Sequence, residues 1–177
     1  MTCEYKIYEI FDNFLRDVEQ NIFLSSDFPY PVYNNVNNFI NDNTNEYKGL
    51  LIYDIIKYYS GELIKQIRDN YNIYPDFFIV VEYGNINIRD NIEYYQTLLI
   101  SVDSYYPKDR FGTKQLQIIN HIVNKYRYLY EKNGFKLPSS DLTIYTKLFS
   151  ISNVIVNDKY NQYFRRTITF WLRYCMC

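Results

Sequence analysis

Five consecutive apolar residues, Phe77-Phe78-Ile79-Val80-Val81, are entered from Pro75-Asp76 and closed by the charge of Glu82. A run this short, rich in β-branched and aromatic side chains and bounded by a proline and a charge, is what a buried strand shows. It favours at least some sheet. Tyr83-Gly84-Asn85 and then Ile86-Asn87-Ile88-Arg89 follow it, which predicts a β-hairpin turning at Gly84-Asn85.

Most of the remaining chain reads as helix. Residues 4–24 place Ile10, Phe11, Phe14, Leu15, Val18 and Ile22 at helical spacing, with Asp12, Arg16 and Asp17 mostly off that stripe. Pro29-Tyr30-Pro31 ends this element, and residues 32–45 have room for one or two helical turns. A second helix is predicted over 46–71, weakened at Ser60-Gly61, where a kink or a break is expected. A third is predicted from an N-cap at Thr113 to a stop at Asn133-Gly134, and a fourth over 158–175, burying Phe164, Ile168 and Trp171 and exposing Arg166 and Arg173. Residues 94–102 and 142–155 fit helix or strand. The fold class expected is α+β: one helix-rich globular domain over residues 1–177 with a small antiparallel sheet. An all-α bundle of six or seven helices is the alternative.

With 47% apolar residues in 177, the chain has ample material for one core. Twenty-two Tyr and 12 Phe beside five Gly and no Ala reflect codons rich in A and T, as in the genomes of large DNA viruses, some protists and some low-GC bacteria. Many of the tyrosines are therefore expected to be fillers with a satisfied hydroxyl. No stretch approaches the roughly 20 apolar residues of a membrane helix, and 4–24 is too charged for a signal peptide. There is no Asn-x-Ser/Thr acceptor, and the three Cys lack disulfide-like spacing. A cytoplasmic or nuclear, non-secreted protein is expected.

The charge is split along the chain. Residues 1–106 hold seven Lys/Arg against sixteen Asp/Glu, a net of −9; residues 107–177 hold twelve against four, a net of +8. A basic segment of that density can attract a polyanion, and neighbouring Tyr and Phe can stack on exposed bases. The competing expectation is that the two halves pack together and neutralise each other. The candidate anion- or partner-binding residues are Lys108, Arg110 and Lys114, which precede or open the third helix, with Lys125, Arg127, Arg165 and Arg166 beyond them.

Catalytic signals are weak. His121, the only histidine, sits among Ile118, Ile119, Ile122 and Val123 and reads as a structural residue. Cys3, Cys175, Cys177 and His121 have no zinc-site spacing, and no metal or cofactor is expected. Pro75-Asp76 and Glu82 faintly resemble the Pro-Asp and Glu of a metal-dependent nuclease, but Glu82 is followed by Tyr83-Gly84, so the lysine of the Glu-x-Lys that such enzymes place on a strand is absent. Cys175-Met176-Cys177 resembles the prenylated Cys-x-Cys ending of the Rab small GTPases over three residues only. The chain lacks their Gly-x4-Gly-Lys-Ser/Thr loop, so two ordinary terminal cysteines are expected.

These readings converge on a non-enzymatic protein–protein interaction domain, host-directed if the coding bias is viral. Its partner is expected to be another protein, met through the basic C-terminal part. A nucleic-acid-binding protein using the same cations is the first alternative, and a metal-dependent hydrolase using Asp76 and Glu82 the second.

Overall fold

The computed structural model describes residues 3–90, 93–138, 142–156 and 162–175. Its elements in chain order are α1 (Cys3–Val18) with a π turn (Glu19–Phe23), β1 (Val32–Tyr33), α2 (Val36–Asn41), β2 (Gly49–Ile52), α3 (Ile55–Tyr59), α4 (Glu62–Tyr71), β3 (Phe77–Arg89) and β4 (Glu93–Tyr105). A 3-10 turn (Tyr106–Lys108), α5 (Thr113–Tyr126) with a second π turn (Arg127–Glu131), β5 (Phe135–Lys136), β6 (Thr143–Ile151), β7 (Ile155–Val156) and β8 (Tyr163–Cys175) complete it.

The strands form one mixed sheet, ordered β1-β2-β3-β4-β8-β6-β5 with β7 also on β8, curled into a half-barrel. β1, β2 and β3 run parallel, and the helices α2 and α3–α4 supply the crossovers that parallel neighbours require. From β3 onward every pairing is antiparallel. Neither the helix-rich domain with a small antiparallel sheet nor the all-α bundle is what forms. The deciding segments are 94–102, 142–155 and 158–175, whose described parts are almost entirely extended. In β8 the residues Thr167, Ile168, Thr169, Phe170 and Trp171 favour the pleated surface, and Ile168, Phe170, Leu172 and Tyr174 alternate into the core.

Three local readings are corrected for similar reasons. β3 does not turn at Gly84-Asn85: its register to β4 shifts between Tyr83 and Ile86, a bulge, and pairing resumes as far as Arg89 opposite Glu93. Gly84 belongs there because a Cβ would run into the Thr97 hydroxyl oxygen. The helix expected over 46–71 is instead β2, α3 and α4, broken at Ser60-Gly61 as its weak point implied, with Gly61 left-handed ahead of α4. α5 is not capped by Thr113. The buried Asp109 carboxylate accepts the Lys114 and Gln115 amides at 3.0 and 2.9 Å.

The five-residue apolar run at the start of β3 also divides the core. Phe77, Ile79 and Val81 join one cluster, made with α1 and α5 through Phe14, Ile22, Ile118, Ile122 and Tyr126. Phe78 and Val80 join a second, with Phe39, Tyr58, Ile64 and Ile67 from α2, α3 and α4. The first cover runs along the sheet to β8 and β6. Among the described residues the second reaches β8 only at Tyr163, and none of their helices covers the outer part of that face across β4, β8 and β6.

Candidate functional site

The seven cations picked out from the sequence do not share one surface environment. Lys108 pairs with Asp76 at 2.8 Å and donates to the Glu46 carbonyl, and the Lys114 ammonium stands 4.2 Å from the centre of the Tyr47 ring. Arg110 is exposed beside Phe111 and Tyr106. Lys125 pairs with Asp27 at 2.6 Å, and Arg127 pairs one turn along with Glu131. Arg165 makes two bonds to Asp103, at 2.7 and 2.9 Å, while Arg166 is partly buried. The amides at the head of α5 are already bonded to Asp109.

Charge pairing across the fold accounts for much of the split. Lys108–Asp76, Lys125–Asp27, Arg165–Asp103 and Arg173–Glu93 each join a cation from after residue 106 to a carboxylate from before it. Lys125 donates to Asp27 and holds its carboxyl down to about 2, with help from the Ser25 hydroxyl.

Asp103 and Arg165 anchor a larger network under α3. The Tyr58 hydroxyl also donates to Asp103, the Tyr59 hydroxyl donates to Glu82 at 2.6 Å, and Arg165 donates to Tyr59 at 3.2 Å. Asp103 is wholly buried, and these donors satisfy both of its carboxylate oxygens. Burial raises the Tyr58 hydroxyl well above its ordinary value. Asp76 and Glu82 stand at opposite ends of the apolar run, about 20 Å apart for six extended residues, and each is engaged separately. His121 is half-buried, edge-on to Phe28, with its Nε2 4.0 Å from Asp27. Its pKa is lowered, chiefly by burial. Among the described residues no group of three or more His, Cys, Asp or Glu is placed to hold a metal ion, and no helix is long and apolar enough to cross a membrane. Met176 and Cys177, and the side chains of Cys3 and Cys175, lie outside what the structure describes.

The uncovered part of the sheet holds a different kind of site. β8 pairs with β4 and β6 so that Tyr95, Arg173 and Tyr145 form one rung across three strands, and Thr97, Trp171 and Lys147 form the next, about 7 Å along. The register of β6 then shifts between Leu148 and Ser150, and Phe149 lies against Trp171 with ring centres 5.3 Å apart. Arg173 lies 5.2 Å from the centre of the Tyr145 ring. These side chains frame an open groove of about 580 Å³. Tyr145, Phe149 and Trp171 remain 52, 62 and 45% exposed, although large aromatics normally find cover. The outer edge of β6 is guarded where the Leu148 amide donates to Glu131 at 3.2 Å.

None of these groove residues was singled out by sequence reasoning as a candidate site. Reading 158–175 as a helix sent Trp171 inward and left Arg173 as an isolated surface charge. The available signal was the alternation Tyr145-Thr146-Lys147-Leu148-Phe149, which sorts aromatics and a cation onto one face of a strand. No protein-family model matches the chain, and no curated protein is significantly similar to it.

Proposed function

We propose that this chain is a non-enzymatic binding protein that holds a segment of another protein on the uncovered face of its sheet. The observation that carries the reading is the groove framed by Tyr145, Phe149 and Trp171, three large aromatics that remain about half exposed. Exposed aromatic area on a rigid sheet favours a partner that removes it from water, and Trp and Tyr are the residues that dominate such contacts.

A nucleic-acid strand is the rival occupant, since aromatics and cations also serve base stacking and phosphate pairing. The pairing of Lys108, Lys125 and Arg165 with carboxylates weighs against it, because affinity for a polyanion rises with the number of cations free to meet phosphates.

The test is a peptide-library selection against the folded chain, with the enriched peptides re-measured on a Trp171→Ala/Phe149→Ala double variant and on Phe111→Ala. Binding lost in the double variant and kept in Phe111→Ala is expected. Enriched peptides that ignore the double variant would overturn the reading. So would an oligothymidylate that binds the chain more tightly than any of them and weakens steeply as salt rises.

A further inference from the structure

Resting on the reading of the open face as a protein-binding surface, we infer that its occupant is an acidic–apolar segment. An apolar or aromatic side chain would lie between Tyr145, Trp171 and Phe149, with carboxylates beside it meeting Lys147 and Arg173.

The argument is one of charge complementarity. Among the described residues, those that line the groove include two cations and no carboxylate. That imbalance is local, because the chain as a whole carries a net charge of −1. Lys147 is exposed and makes no ion pair among the described residues. Arg173 has Glu93 at a loose 3.7 Å, a half-exposed contact that an incoming carboxylate can replace or share.

The placement of the two charges adds a geometric constraint. Lys147 stands opposite Trp171, and Arg173 stands opposite Tyr145 one rung along. Cation and aromatic therefore alternate in both directions across the strands, with about 7 Å between rungs. An extended peptide has the same two-residue repeat of about 7 Å along its length. A segment laid over the face thus brings a carboxylate to one cation while a neighbouring side chain covers a ring. The apolar contact supplies area and the charges supply selection among partners. A basic segment would meet Lys147 and Arg173 with like charge, and a neutral one would leave Lys147 without a partner.

Trp171 is the chain's only tryptophan, so its indole N–H gives a single resonance that reports on the groove directly. The probes are two charge-swapped pentapeptides, N-acetyl-Asp-Leu-Phe-Leu-Asp-amide and N-acetyl-Lys-Leu-Phe-Leu-Lys-amide, whose first, third and fifth side chains share one face when extended, and an oligothymidylate. Each is titrated while the indole peak is followed by NMR. The acidic peptide is expected to shift the peak with an affinity about fivefold or more above that of the basic one, as two exposed ion pairs would give. Lys147→Glu, a change at an exposed side chain, is expected to remove or reverse that preference. Equal affinities, a preference for the basic peptide, no shift with either, or a preference that survives Lys147→Glu would overturn the inference. A stronger response to the oligothymidylate would overturn it in favour of nucleic acid. The library selection judges the underlying reading separately: groove-dependent peptides without acidic residues would leave that reading standing and sink this one.

Discussion

The two faces of the sheet use the same strands to opposite ends. Under α1 and α5, β8 presents Ile168, Phe170, Leu172 and Tyr174, all buried, and the Phe170 ring stacks 3.6 Å from that of Tyr126. One residue along in each case, the other face presents Thr169, Trp171 and Arg173, the last two exposed and outside the cover of any helix among the described residues. Period-two alternation thus makes one strand both a core element and a display element. The helices α2, α3 and α4 extend the cover only as far as the Asp103–Arg165 network, where a paired charge cluster closes the second core before the open groove begins. Aromatic content alone therefore does not separate structure from function in a tyrosine-rich chain. Which face an aromatic occupies, and whether anything covers that face, does.

The contrast is broken most severely from the covered side. Phe170→Ala is expected to cost about 4 kcal/mol, because its cavity opens in a packed, wholly buried cluster. Urea unfolding followed by circular dichroism should show a large fall in midpoint or no cooperative transition. At the boundary between covered and open, Asp103→Ala leaves the Arg165 guanidinium partly buried without its carboxylate and is expected to cost about 3 kcal/mol. Its urea midpoint should fall accordingly; a fall no larger than that of an exposed-site control would mean the network does not anchor α3. Removing the α5 cap by Asp109→Ala is expected to cost about 1–2 kcal/mol. Hydrogen exchange should then quicken at Lys114 and Gln115 before the rest of the helix.

These predictions touch features that were unequally legible in the sequence. The helices α1 and α5 follow from one unambiguous period each, and the strand core of β3 from an unbroken apolar run bounded by a proline and a charge. β8 satisfied two. Phe164, Ile168 and Trp171 are spaced four and three apart, which fits a helical stripe, while Ile168, Phe170, Leu172 and Tyr174 are spaced by two, which fits a strand. Over so short a segment only tertiary pairing with β4 and β6 separates the two, and no local propensity carries that information. The open face was hidden for the same reason, since Trp171 and Lys147 are neighbours only across a strand pair. The charge split was legible as an amount, but its partial resolution into Lys108–Asp76, Lys125–Asp27, Arg165–Asp103 and Arg173–Glu93 depends on contacts far apart in the chain.

The smallest effect comes from one of those pairs. Asp27 is held at about 2, below the ordinary 3.8, so its contribution to stability is complete above about 3.8 and is lost as pH falls through about 2. Lys125→Ala should move its titration by NMR back toward 3.8, and added salt should shrink the difference because the pair is exposed at Asp27. An unchanged titration in that variant would assign the shift to Ser25 instead.

The measurement that bears most directly on the two-face account pairs stability with binding in one protein, the Trp171→Ala/Phe149→Ala double variant. Its urea midpoint and its affinity for a library-selected peptide are taken side by side with the unsubstituted chain. Both residues stand on the open face, so the double variant is expected to lose less than about 1 kcal/mol of stability, while peptide affinity falls about tenfold or more. A collapsed midpoint would make these rings part of the core, and an unchanged affinity would place recognition elsewhere; either result contradicts the account.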